Sequence, residues 1–168
     1  MINSKARFSK KIKLQNEEKN QKFSKEAGVY IICACENDSE LTDIPIKRFI
    51  GEDRRGILYI GKGVKMHGRV SEFCRYIKAD SKVNKNWNHP GGKRLWHILQ
   101  NDENKQKINN DISLDNLYVT FIEVEIKQGD APTDKAEEKE QELLRLYFKE
   151  YGEVPPLNGT LELAKSGV

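Results

Sequence analysis

The chain reads as an α+β domain. Two apolar runs rich in β-branched and aromatic residues, 27–35 and 57–60, and a later alternating run predict strands, while a striped segment after Lys65 and a long pattern from Pro132 predict helices. At 168 residues the chain suits one domain, and no internal repeat points to a stacked array. Its 37% hydrophobic residues fall in short patterned runs, which favours a folded chain with a modest core over disorder despite 33% charged residues.

Residues 1–25 carry eight Lys or Arg against two Glu and read as a basic arm, leaving 26–168 as the folded domain. Such an arm suits attraction to phosphates, and it equally suits a solvated tail. Ala27 to Cys35 is a continuous apolar run opened by Gly28 and reads as a buried strand. Residues 36–56 are mostly polar and form a long loop before Ile57-Leu58-Tyr59-Ile60 resumes the apolar pattern, which Gly61-Lys62-Gly63 is expected to end. Val70, Phe73, Cys74 and Ile77 then recur at helical spacing. A polar stretch through Asn84, Asn86, Asn88, Pro90, Gly91 and Gly92 precedes a short helix marked by Leu95, Trp96, Ile98 and Leu99. After a further polar loop, Leu117 to Ile126 reads as the third strand, with Glu123 and Glu125 alternating against Ile122, Val124 and Ile126. Asp134 with Glu137 approximates a capping box for a helix running to about Tyr151, with Gly152 placed to terminate it.

No apolar run approaches the ~20 residues of a membrane helix, and no signal-peptide pattern follows the N-terminal lysines, so a cytoplasmic protein is expected. The three cysteines read as reduced thiols. Cys33 and Cys35 share one strand face too closely for an unstrained disulfide, and no further Cys or His stands at zinc-ligand spacing.

Glu140 interrupts an apolar helix face formed by Ala136, Leu143, Leu144 and Tyr147. A carboxylate there calls for a cation, a hydrogen-bond donor or a metal, while Glu137, Glu138 and Glu142 lie nearer the wet side.

Gly28-Val29-Tyr30 and Tyr59-Ile60-Gly61, Arg69 eight residues after Gly61, Glu140 on the late helix and Asn158 after Pro155-Pro156-Leu157 together resemble the GIY-YIG family of metal-dependent endonucleases. The resemblance implies a small, largely antiparallel three-stranded central sheet flanked by helices. It also implies DNA as partner, a Mg²⁺ (or Mn²⁺) ion on Glu140, Tyr30 as the base that activates water with Tyr59 close by, Arg69 as a phosphate clamp and Asn158 as a brace. Lys62, Lys93 and Arg94 are expected to contact the nucleic-acid backbone. Cutting both strands would call for a homodimer or two successive nicks.

Two departures from the family pattern stand out: a longer loop between Tyr30 and Tyr59, and Phe73 where some members carry a histidine four residues after the arginine. That histidine's role is vacant here or shifted to His67, His89 or Lys62. A non-catalytic nucleic-acid-binding module with the same fold is the alternative. A third reading, an HNH-type nuclease, is suggested by Asn86-Trp87-Asn88-His89-Pro90, but it needs a ββα hairpin with paired histidines.

Overall fold

The computed structural model describes residues 8–15, 24–36, 42–78 and 89–159. Much of the basic arm and the Asn84 to Asn88 stretch lie outside the described residues.

The sheet is antiparallel and has four strands rather than the expected three: β1 (Ile12–Lys13), β2 (Gly28–Ala34), β5 (Ile57–Gly63) and β6 (Leu117–Glu123), in the order β1-β6-β2-β5. The added strand comes from the basic arm, where Ile12 pairs with Val119 and Leu14 is 1% exposed in the core. Part of the arm therefore belongs to the domain.

Between β2 and β5, β3 (Ile46–Lys47) and β4 (Glu52–Asp53) form a small hairpin inside the segment expected to be loop. Strands of two residues carry too little periodicity to show in a sequence. β5 does not stop at Ile60 but continues through Gly61-Lys62-Gly63, because Gly28 to Tyr30 lie alongside to pair with it. β6 ends at Glu123 instead of Ile126 for the converse reason. Glu123 pairs with Gly28, the first residue of β2, and beyond it β2 offers no further strand residue.

Helices α1 (Met66–Lys78) and α2 (Pro90–Leu99) pack together on one face of the sheet, over Tyr30, Ile32, Leu58 and Val119. α3 (Asp102–Ile108) follows in what the sequence suggested was loop; none of its residues is buried, so it carries no apolar stripe to read. α4 (Pro132–Tyr151) covers the opposite face, burying Leu143, Leu144, Tyr147 and Tyr151 against Val29, Ile31, Ile57 and Ile60. The expected capping box is absent: Pro132 takes the first helical position, Ala131 is the N-cap, and Asp134 sits in the first turn, where its charge suits the helix dipole. Gly152 ends α4 with φ 73°, a left-handed conformation that side-chain-bearing residues avoid.

One carboxylate ties these layers together. Asp53 is fully buried and accepts hydrogen bonds from Tyr147 Oη at 3.0 Å, Tyr151 Oη at 3.3 Å and the backbone N–H groups of Arg55 at 3.0 Å and Ile57 at 3.1 Å. Arg55 adds its guanidinium at 3.3 Å, completing the partners a buried charge requires. Burial, with Asp53's charge next, raises both phenols, Tyr151 to about 12, so they remain neutral donors. The β3–β4 hairpin, the start of β5 and the last turns of α4 are thereby held at one point.

Candidate active site

β5 is an edge strand, so the layers on both faces of the sheet meet along its outer side. There a cleft of about 320 Å³ is lined by Tyr59 and Lys62 of β5, Arg94 of α2, Glu137, Glu140 and Gln141 of α4, and Asn158.

Tyr30 and Tyr59 stand on neighbouring strands with ring centroids 5.9 Å apart. Tyr30 lies directly across from Gly61, and a Cβ there would fall 2.7 Å from Tyr30 Oη and 2.5 Å from the Tyr59 ring. The glycine of the second tripeptide thus leaves the space the two phenols occupy. Both are buried, but Tyr59, 9% exposed, lines the cleft, while Tyr30 is 0% exposed behind it. Burial raises both phenols above their ordinary range; Tyr59 pushes Tyr30 further up, and Arg69 opposes this at both.

Tyr30 Oη is hydrogen-bonded to His89 Nε2 at 2.7 Å. Of the candidates His67, His89 and Lys62, His89 is therefore the one that reaches Tyr30. It opens α2 as N-cap, and its Nδ1 accepts the Gly92 backbone N–H at 3.1 Å. An accepting Nδ1 carries no proton, so in the neutral ring the proton sits on Nε2 and is donated to Tyr30 Oη. Donation to the phenol oxygen favours phenolate over phenol. Phe73 forms the wall against which this ring rests, edge-on to His89 at 5.2 Å and stacked on Tyr59 at 6.2 Å. The imidazole beside Tyr30 thus comes from the start of α2 and not from position 73 on α1.

Burial, then the charge of Arg69, lowers the His89 pKa from 6.5 to about 4. Between those values the unfolded chain binds the proton that folded His89 refuses, so stability falls as pH drops through this window. Denaturant melts should show His89 contributing a loss of up to about 3 kcal/mol between pH 7 and pH 4. His89→Gln should flatten that slope; an unchanged slope would contradict the neutral, buried imidazole.

Glu140 is mostly buried, its side chain 14% exposed, and burial raises its pKa against the opposing pull of Lys62, 3.7 Å away. Lys62 also pairs with Glu137 at 2.9 Å. Beside Glu140 on the cleft wall, Gln141 Oε1 is buried with no hydrogen-bond partner among the described residues. A carboxylate and an unsatisfied amide oxygen are both hard donors of the kind Mg²⁺ takes.

Asn158 braces the strand bearing Tyr59. Its amide oxygen accepts from Ile60 N at 2.9 Å and its amide nitrogen donates to Ile60 O at 2.7 Å, satisfying both edge groups of that residue. Arg94 donates to Leu157 O at 2.8 Å and holds the same terminal turn. Arg69 lies in the first turn of α1, ion-paired with Glu72, close enough for its charge to bear on Tyr30, Tyr59 and His89. Lys93 is exposed on α2 and does not line the cleft.

The fold thus gathers Tyr30, Tyr59, Lys62, Arg94, Glu140 and Asn158, with Arg69 flanking them and Lys93 apart. His89 had a sequence signal beyond its place in the HNH-like motif: Pro90 favours the first helical position and marks the preceding residue as a cap. His89 caps a helix rather than sitting in a ββα hairpin, and Asn86 to Asn88 lie outside the described residues. Comparison with family models, curated proteins and solved structures finds no match to this chain.

Proposed function

We propose that this chain is a metal-dependent DNA endonuclease of the GIY-YIG kind, hydrolysing phosphodiester bonds at the β5 edge cleft. The observation that carries the reading is the hydrogen-bonded series from Gly92 N–H through His89 to Tyr30, set behind a second tyrosine that faces Glu140 across an open cleft. A structural role for these groups would not call for two adjacent phenols, one braced by a tautomer-fixed imidazole, at the wall of a polar cleft.

In this reading Tyr59 meets the attacking water and Tyr30 supports it from behind. The water oxygen forms a bond to phosphorus as its proton passes to the ionised Tyr59 oxygen, and the bond to the leaving oxygen breaks, that oxygen taking a proton from solvent. Tyr30's hydroxyl favours ionisation of Tyr59, and the His89 N–H in turn favours negative charge on Tyr30. Arg69 offers a planar, permanently charged fork to the phosphate, and Lys62 and Arg94 add positive charge on the cleft wall. The orphaned Gln141 oxygen beside Glu140 fits a divalent ion: these two residues would hold Mg²⁺ or Mn²⁺, whose charge when bound stabilises the leaving oxygen.

Glu140→Ala is expected to abolish Mg²⁺-dependent cutting of plasmid DNA while leaving the circular dichroism spectrum intact. Wild-type protein that leaves plasmid, single-stranded and branched DNA whole in Mg²⁺ or Mn²⁺ would sink the proposal. One observation favours a second reading, a binding module without turnover: burial holds both phenols above their ordinary range. Salt-sensitive DNA binding with no metal-dependent cleavage would select it.

A further inference from the structure

On the α4 side of the sheet, beyond the end of that helix's cover, β2 and the bridge residue that follows it carry two thiols. Cys33 and Cys35 point to the same face, and the backbone of Cys35 bridges to Asp43 on the returning chain. The sulfurs of Cys33 and Cys35 and a carboxylate oxygen of Asp43 all lie within 4.8 Å of one another. We propose that Cys33, Cys35 and Asp43 form a binding site for a thiophilic divalent transition-metal ion such as Zn²⁺, separate from the β5 edge cleft.

The spacing suits that ion. Bond lengths of about 2.3 Å to sulfur and 2.0 Å to oxygen in a tetrahedron put a sulfur and an oxygen ligand about 3.5 Å apart. Cys35 Sγ and Asp43 Oδ1 stand at 3.2 Å, so the ligands are near their bound positions already. The frame around them is tied down: Ile44 N–H donates to Ala34 O at 2.9 Å, Cys35 N–H to Asn116 O at 2.9 Å and Glu36 N–H to Thr42 O at 2.7 Å. Two same-face thiols on one strand do not close an unstrained disulfide, so the pair is better suited to sharing an ion than to joining.

The cluster already holds a positive charge. Lys11 Nζ pairs with Asp43 and lies 3.5 Å from Cys35 Sγ, standing where a cation satisfies both. A cavity of about 210 Å³ opens beside it, lined by Lys11, Ile31, Cys33, Asp43 and Arg55 among others, and gives room for the lysine to withdraw and for a water to fill the fourth position. Binding releases the remaining thiol protons to solvent and displaces the ammonium from the carboxylate, with no change of oxidation state. Three side chains and a water leave the ion an exchangeable position, unlike a closed four-residue structural site.

Cobalt(II) reports on such a site directly. Titrating the reduced full-length chain with Co²⁺ should give saturable near-ultraviolet thiolate-to-cobalt absorption and visible bands of tetrahedral cobalt at one equivalent, both bleached by Zn²⁺. Cys33→Ser and Cys35→Ser should each remove most of the absorption, and Asp43→Asn should weaken binding at least tenfold. Cys74→Ser, which alters the remaining buried cysteine, should leave the spectrum unchanged. Lys11→Met removes the resident competitor and should tighten binding. Circular dichroism of each metal-free variant separates loss of the site from loss of the fold. Absence of thiolate-to-cobalt absorption in the wild type overturns the proposal, as does its survival in both Cys33→Ser and Cys35→Ser. No step of this test involves DNA, so its outcome is independent of the nuclease reading.

Discussion

Tyr59→Phe should lower DNA cleavage about 10³-fold and Tyr30→Phe about 10²-fold, both within the range of a lost general base, with little change in DNA affinity. The ranking follows from exposure. Tyr59 lines the cleft at 9% exposure, whereas Tyr30 is 0% exposed and on the proposed mechanism acts through its neighbour. On the proposed mechanism, removing Tyr59 takes away the oxygen that receives the water proton, and removing Tyr30 takes away only its support. Single-turnover cleavage of a short duplex, with affinity measured separately in Ca²⁺, gives the comparison. The reverse ranking would return the direct role to Tyr30, as the tripeptide resemblance implied. His89→Ala should resemble Tyr30→Phe and add little to it in the double variant, because both break the same support.

Asp53→Ala should destabilise the chain by about 3–5 kcal/mol, the cost of leaving buried partners of a charge unsatisfied. For a chain of this size that lowers the melting temperature by roughly 6–20 °C. Tyr147 Oη, Tyr151 Oη, the Ile57 N–H and the Arg55 guanidinium all lose an acceptor at once. Asp53→Asn keeps one oxygen and should recover part of the loss. Urea melts on the three proteins decide it, and a change below ~0.5 kcal/mol for the alanine variant would show the network to be dispensable. On the proposed reading cleavage should suffer as well, since Asp53 ties the last turns of α4, the helix that carries Glu140, to the start of β5.

What the sequence revealed was what lies close together along it or repeats with a period. Gly28 to Tyr30 and Tyr59 to Gly61 sit on apolar runs whose β-branched and aromatic residues read as strands, and α4 showed both its terminator and the carboxylate breaking its stripe. The partner of Tyr30 was hidden, because His89 follows a polar stretch with no periodicity and reaches the phenol only through the packing of α2 on α1. The fourth strand was hidden too, since Ile12-Lys13 is too short to stand out within a run of lysines. Asp43 was equally invisible as a neighbour of Cys33 and Cys35: a strand bridge, not a spacing rule, sets it beside them. The endpoints of β5 and β6 depended on how far β2 extends, a property of pairing that neither segment carries by itself.

The bracing of Ile60 by Asn158 also bears on how two copies could assemble. Leu157 N–H donates to Leu58 O at 2.9 Å, so with the Asn158 pair the terminal turn occupies the outer edge of β5 much as a further strand would. At the other edge β1 covers Tyr118 and Val119 of β6, and the Ser9 N–H donates to Phe121 O at 2.9 Å, so that border is mostly taken up as well. Among the described residues the sheet has no long open border, which closes the route by which strands of separate molecules join into a continuous sheet or an aggregate. Among the described residues, helices and loops are the surfaces left for a dimer that would cut both DNA strands.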